Sequence, residues 1–300
     1  MDLTIGITAY REGDLLRRCW QSVLAQTDPR WQAVLIVDGG ADRRTRRIAA
    51  GLEHPRLRVV QLPENGGPYA ARTRAIRAAG TPWYAHLDAD DTLPPRAAAS
   101  ILAAIEAHPQ AQYICGAARH TGPGWAEIRE PHPFDRLTHG PTFHAQAPIR
   151  VELFERVGGF APQLMHGSAD WDFWLSVAAL AVPGARAEGI IYERHNRPGS
   201  NGDRWRLHRH TIARIVIDRH PAFFADPARR RATMGRAHER VARAYRERGQ
   251  RIRAADHARQ ALAHGTDTPT LRAIRREADM APWRYALRRL GRLMSAGRDG

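Results

Sequence analysis

Trp83-Tyr84-Ala85-His86-Leu87-Asp88-Ala89-Asp90-Asp91 is a short β-favouring run that ends on three carboxylates, and Pro94-Pro95 just beyond it marks the start of a helix. It is the fourth run of its kind. Residues 3–8, 33–37 and 57–61 read as strands, and apolar residues at helical spacing fill residues 14–25, 43–52 and 69–79 between them. Regular alternation of strand and helix predicts an α/β fold, a Rossmann-like and mostly parallel sheet with flanking helices. Ligands of such sheets bind beyond the carboxyl ends of the strands. Chemistry is therefore expected at Ala9-Tyr10-Arg11-Glu12, Asp38-Gly39-Gly40, Glu64-Asn65-Gly66-Gly67 and Asp88-Ala89-Asp90-Asp91.

A chain of 300 residues with 43% apolar and 26% charged residues can bury a core in one large or two modest domains, which excludes a disordered or collagen-like chain. Cys19 and Cys115 are the only cysteines, too few for a disulfide framework or a zinc ribbon. The first strand begins at residue 3, where a signal peptide would need its charged and apolar regions. The longest nearly apolar stretch, residues 177–185, is broken by Pro183-Gly184 and falls far short of the roughly 20 residues that span a bilayer. The expected setting is the cytoplasm, at most at the inner face of the cell membrane.

All 46 basic residues are Arg, so Schiff-base chemistry and a P-loop lysine are excluded. The net charge of +15 is unevenly placed. Residues 1–200 hold 22 Arg against 21 acids, whereas residues 201–300 hold 24 against 10. Two regions are expected, a catalytic α/β domain over 1–203 and a basic helical region over 204–300. Within the latter, Tyr245, Gly249, Ala254 and Ala261 are spaced as in a single tetratricopeptide-like hairpin over 237–264; ordinary helix packing accounts for the same spacing. In residues 282–294, Trp283, Leu287, Leu290 and Met294 form one helical stripe among Arg284, Arg288, Arg289 and Arg292, a pattern suited to a membrane surface or to packing on the protein's own helices. Residues 120–146, rich in Gly, Pro and His, read as a long functional loop.

Clustered hard oxygen ligands such as Asp88 and Asp90 suit Mg²⁺ or Mn²⁺. The same tetrapeptide also reads as an Asp-rich turn with Asp91 capping the next helix. Gly66-Gly67 followed by Arg72 offers backbone N–H groups and a guanidinium to phosphate, although turn geometry alone calls for the glycines. Asp170 opens a helix after Gly167-Ser168, where the helix dipole favours the anion and a plain cap is the alternative.

Taken in order, Tyr10-Arg11-Glu12, Ser22-Val23-Leu24-Ala25-Gln26-Thr27, Val37-Asp38-Gly39-Gly40, Glu64-Asn65-Gly66-Gly67 through Arg72, His86-Leu87-Asp88-Ala89-Asp90-Asp91, Val157-Gly158-Gly159-Phe160 and Ala169-Asp170-Trp171-Asp172-Phe173-Trp174 resemble family 2 glycosyltransferases of the GT-A fold over roughly residues 2–200. The resemblance implies an inverting transferase that uses a nucleotide-sugar donor, a UDP-sugar first among them, with a divalent cation. It implies donor contacts at Thr8, Tyr10, Asp38, Arg72 and Asp88, metal ligation by Asp90 with Asp88 and His195, and a general base at Asp170. Val37, Gly40, Thr73 and Ala169 depart from the family pattern. Ala169 matters most, because a Glu is usual there; Glu152, Glu155 and His166 stand as alternatives for the base.

Trp171, Phe173 and Trp174 are expected to wall the acceptor side and exclude water, which disfavours a hydrolase. The expected acceptor is a cell-envelope polysaccharide or lipid-linked sugar. A sugar nucleotidyltransferase would share the architecture but needs a Gly-rich loop after the first strand, where Ala9-Tyr10-Arg11-Glu12 stands. An Arg-rich RNA-binding protein would interleave aromatic residues with basic ones, and Trp205, Tyr245, Trp283 and Tyr285 are too scattered. Nucleic acid is not an expected partner.

Overall fold

The computed structural model describes residues 2–122, 125–129, 137, 146–165, 167–196, 205–281 and 284–286. Strands β1 (Leu3–Ala9), β2 (Trp31–Val37), β3 (Leu57–Gln61) and β4 (Trp83–Asp88) lie parallel in the order β3-β2-β1-β4. Their near-continuous apolar runs suit strands covered on both faces. Helices α1 (Leu15–Leu24), α2 (Arg43–Ala50), α3 (Pro68–Arg77) and α4 (Ala97–Ala107) complete the strand-helix units. Ile5, Ile7, Leu16, Val23, Trp31 and Leu35 are fully buried together, each such side chain contributing about 1.5–3 kcal/mol of transfer free energy. Asp42 caps α2 by accepting from the Thr45 N–H at 2.7 Å. Register places Thr8 of β1 opposite Ile36 on one side and Asp88 on the other, so the strand ends expected to carry chemistry share one edge.

The remainder of the sheet is mixed. Strands β5 (Tyr113–Gly122), β6 (Trp125–Arg129), β7 (Ile149–Arg150) and β8 (Gly184–His195) extend the order to β3-β2-β1-β4-β7-β5-β6, with β8 on β5. The short β7 runs antiparallel to both β4 and β5, β6 is antiparallel to β5, and β8 is parallel to it. Helices α5 (Val151–Arg156) and α6 (Ala169–Ala179) belong to this half. The start of α6 agrees with the helix expected to open at Asp170. Strands β5 and β8 had no counterpart in the sequence reading: β5 is rich in small residues and β8 alternates charged with small ones, so neither carries a long apolar signature.

The chain divides into two compact units, Met1–Phe134 with Pro141–Asn196, and Asp135–Gly140 with Arg197–Gly300. In the second, α7 (Arg209–Arg219), α8 (Pro227–Glu247), α9 (Arg251–Ala263) and α10 (Pro269–Ala278) follow one another. Ala242, Ala254, Ala258 and Ala261 pack without exposure against Leu271, Ile274 and Tyr245. Arg246 grips the buried Glu277 through two hydrogen bonds of 3.0 and 2.6 Å. The first helix of the expected hairpin begins ten residues earlier than its repeat-like spacing implies, at Pro227. Among the described residues no helix is long and apolar enough to cross a membrane. The amphipathic stripe of 282–294 lies outside the described residues except for 284–286.

Candidate active site

Asp38 follows β2 and is buried, and burial raises its carboxyl above the usual range while N–H groups of Gly40, Gly67, Gly66 and Gly39 oppose the shift. The two glycine turns press on each other: a Cβ on Gly39 would lie 2.4 Å from the Glu64 nitrogen, so only glycine permits this approach. Tyr10, at the end of β1, donates its N–H to Glu12 Oε2 at 2.5 Å and carries the Arg11 guanidinium 4.7 Å above its ring. Thr8, Tyr10 and Asp38 thus share the sheet edge on which the resemblance places the nucleotide.

Arg72 projects from α3 and is buried. Its Nη2 donates to both oxygens of Asp88 at 2.9 Å, while its buried Nε has no partner. Burial works against the Arg72 charge, but Asp88 and Tyr69 raise its pKa further. Burial likewise works against the Asp88 charge, and Arg72 and His86 outweigh it, holding that carboxyl well below the usual range. Burial first, and Arg72 second, push His86 down to about 4. A neutral His86 beside an ionised Asp88 settles the tautomer: Nε2–H donates to Asp88 Oδ1 at 2.8 Å, and Nδ1 accepts from the Tyr84 hydroxyl at 3.1 Å. Gly6 makes room for Tyr84, whose ring would lie 2.2 Å from a Cβ there.

Asp90 is half-buried at the turn, and its carbonyl accepts from Arg18 Nη2 at 2.8 Å. Asp91 is buried and does not cap α4, whose N-cap is Arg96. Its carboxylate instead accepts from the Tyr192 hydroxyl at 2.6 Å and the His195 N–H at 2.7 Å, joining the turn to β8. Burial, then the charges of Asp88 and Asp90, raise Asp91 to about 7. His195 has Nε2 2.9 Å from the Thr92 hydroxyl and Nδ1 3.0 Å from that of Thr121, and burial lowers its pKa. Among the described residues no three His, Cys, Asp or Glu side chains already converge as a metal-binding group. By residue type the carboxylates of Asp88 and Asp90 suit a hard divalent cation, but both Asp88 oxygens are engaged by Arg72, and one of them also by His86.

Asp170 lies in the first turn of α6. Ser168 just before the helix has φ +64°, a left-handed conformation costly for a residue with a side chain, so the loop holds the helix start in a strained geometry. Asp170 Oδ1 accepts from the Tyr69 hydroxyl at 2.6 Å. Asp170 lines a cavity with Arg72, His86 and Tyr84 as its other polar walls and Phe160, Phe173 and Trp174 among its apolar ones. Trp171 is buried but does not line this cavity. Helix periodicity explains the correction, since residues three and four beyond Asp170 share its face whereas the next residue is turned about 100° away. Glu152 and Glu155 are exposed on α5, and Glu155 is paired with Arg77 at 2.8 Å; His166 lies outside the described residues.

Tyr69, Tyr84, His86 and Tyr192 escaped the sequence reading. For two of them a signal existed, because Tyr84, His86 and Asp88 alternate along β4 and so place polar groups on one face of an otherwise apolar strand.

A parallel half-sheet ending on Asp38 and Asp88, continued through an antiparallel strand into a mixed half that carries Asp170, is a GT-A-like arrangement. Solved structures share the fold. Staphylococcus aureus TarS 1-349 in complex with UDP-GlcNAc superposes with a TM-score of 0.60 at 16% identity, covering 87% of this chain and 82% of that one. Mannosyltransferase PcManGT from Pyrobaculum calidifontis, in complex with GDP-Man and Mn²⁺, gives 0.55 at 19% identity over 98% and 85%. The chain belongs to glycosyl transferase family 2, whose sequence profile matches residues 4–167, more than half its length. Succinoglycan biosynthesis protein ExoO of Rhizobium meliloti (strain 1021) is 38% identical over 94 residues, 31% of this chain and 27% of that relative. The chain therefore matches only about a quarter of that relative's length.

Proposed function

We propose that this protein is an inverting transferase that moves a sugar from a nucleoside diphosphate to an acceptor hydroxyl, with Asp170 as general base. The observation that carries this reading is that Arg72 and Asp170 line one cavity. Arg72, with its unpartnered Nε, offers a cation to the diphosphate. Asp170 takes the acceptor proton as that oxygen attacks the anomeric carbon from the face opposite the diphosphate. The new carbon–oxygen bond forms as the bond to the diphosphate breaks, and the leaving group departs with its electron pair. One displacement inverts the anomer. Phe160, Phe173 and Trp174 give the cavity an apolar wall that slows, without abolishing, attack by water in place of the acceptor.

Asp90, with Asp88, would hold Mg²⁺ or Mn²⁺, and His195 would join them on leaving its threonine partners. When bound, the ion stabilises charge developing on the leaving diphosphate. Thr8, Tyr10 and Asp38 contact the nucleoside. UDP-GlcNAc and GDP-Man in the structural neighbours support a sugar nucleotide as donor. A succinoglycan biosynthesis relative supports a cell-envelope polysaccharide or its lipid-linked precursor as acceptor, reached from the cytoplasmic side with residues 282–294 as a peripheral membrane contact.

The test is calorimetric titration of the full chain with UDP-GlcNAc, UDP-glucose and GDP-mannose, with Mn²⁺ and with chelator. At least one donor binds in a Mn²⁺-dependent way, and Asp90→Asn weakens it. Donor binding indifferent to chelator and to Asp90→Asn overturns the metal assignment, and absence of binding by all three overturns the choice of donor class.

A further inference from the structure

Ala169, which precedes Asp170 and is fully buried, carries no polar side chain that could orient it. The Asp170 carboxylate is instead held from another element, by the hydroxyl of Tyr69 on α3 at 2.6 Å. That tyrosine is itself clamped. Phe160 meets its ring edge-on at 5.0 Å, Phe160 rests on Phe173 at 5.6 Å, and the Arg72 guanidinium lies 5.1 Å from the ring centroid. Tyr69 therefore touches both Arg72, the residue that faces the donor diphosphate, and Asp170, the residue that faces the acceptor.

We propose that Tyr69 is a positioning residue that aims Asp170 at the acceptor hydroxyl and ties that aim to the place of Arg72. This rests on the reading of Asp170 as base and of Arg72 as a diphosphate contact.

The physical argument follows the chain of contacts. A tyrosine hydroxyl donating to a carboxylate removes one of its oxygens from free rotation and leaves the other to accept a proton, so the base is held in one orientation. The ring that carries the hydroxyl has little freedom, being held by the edge-on contact of Phe160, itself backed by Phe173, and by a cation over its face. Arg72 is anchored to Asp88 through Nη2 alone, and its buried Nε–H is left for an incoming oxygen. An anion on that N–H secures the guanidinium and, with it, one side of the Tyr69 clamp. Donor binding then favours the conformation in which Asp170 is aimed, so that the base is set once the leaving group is in place.

The experiment measures release of nucleoside diphosphate from UDP-GlcNAc, UDP-glucose and GDP-mannose by the full chain with Mn²⁺, water serving as acceptor, for wild type, Tyr69→Phe, Asp170→Asn and the double variant. UDP or GDP affinity is measured alongside by calorimetry, and melting temperature reports folding. Tyr69→Phe keeps the ring and its packing while removing the hydroxyl. Its expected effect is a fall in kcat of about tenfold, the worth of one hydrogen bond to a charged group, with donor KM and diphosphate affinity unchanged. In the double variant the loss equals that of Asp170→Asn alone, because the hydroxyl acts only through that carboxylate. Wild-type kcat in Tyr69→Phe beside an impaired Asp170→Asn overturns the proposal by itself, as do losses that multiply or a defect confined to donor affinity. Full turnover by Asp170→Asn, or no turnover of any donor by wild type, overturns the underlying reading of the site and this proposal with it.

Discussion

Both units of the molecule bury ionisable side chains in contact with one another, and they do so in opposite ways. In the sheet unit the partners are unlike: Arg72 faces Asp88, His86 donates to Asp88, and Tyr69 donates to Asp170. In the helical unit the partners are alike. His210, His238 and His257 stand with ring centroids 4.8 to 5.3 Å apart, His238 and His257 share a hydrogen bond between their Nδ1 atoms at 2.9 Å, and His264 stacks on His238 at 5.7 Å. Burial, then His257, His210, His264 and Arg214, push His238 down to about 4. A displaced pKa is thus common to both clusters and distinguishes neither. What sets the sheet cluster apart is that the paired charges of Arg72 and Asp88 survive burial, whereas His210, His238 and His257 meet it with lowered pKa values that keep them neutral.

The comparison breaks first at Asp170. Asn there keeps the size and reach of the side chain but cannot take a proton, so sugar transfer falls by roughly 10²–10⁴, the usual worth of a general base, while calorimetry finds UDP affinity retained. Transfer at the wild-type rate would make this carboxylate as inert as the histidines and return the base to Glu152, Glu155 or His166.

Next in size is Arg72→Gln, which leaves the half-buried Asp88 without its cation. Losing a charged hydrogen-bond partner there costs about 1.5–3 kcal/mol of stability, less than breaking a fully buried pair, read as a lower midpoint in urea, and diphosphate affinity is lost with it. Unchanged stability would mean that His86 and the Tyr192 hydroxyl, 3.3 Å from the Asp88 nitrogen, support this turn without Arg72.

The smallest effect sharpens the contrast in pH. Because His238 is held at about 4 against 6.5 when free, the unfolded chain binds the extra proton between these values. Its stability contribution is complete above pH 6.5 and is lost as pH falls toward 4. His86 has the same sign in the sheet unit. Acidification from pH 7 to 5 therefore destabilises wild type, and His238→Leu removes about 1 kcal/mol of that loss, measured as urea midpoints at the two pH values. An identical pH dependence in the variant would show that His238 does not resist protonation in the folded chain.

Much of this site is written in local pattern. The alternation of runs at residues 3–8, 33–37, 57–61 and 83–87 with helical segments is a short-range periodicity, and it suffices to align Thr8, Asp38 and Asp88 at one edge of a parallel sheet. Asp170 is legible in the same way, as a carboxylate in the first turn of a helix. The partners are not legible. Tyr69 and Asp170 stand 101 residues apart, as do Asp91 and Tyr192, and no periodicity within α3 or β8 announces either contact. Strands β5 and β8 exist through pairing with each other more than through their own apolar content. Sequence alone determined which residues carry charge and at which strand or helix end they emerge, because those follow from repeats of 2 and 3.6 residues. Tertiary structure alone decided which charges are paired, which face shares the cavity and that Trp171 turns from it, because burial and long-range packing set the environment that tunes each group.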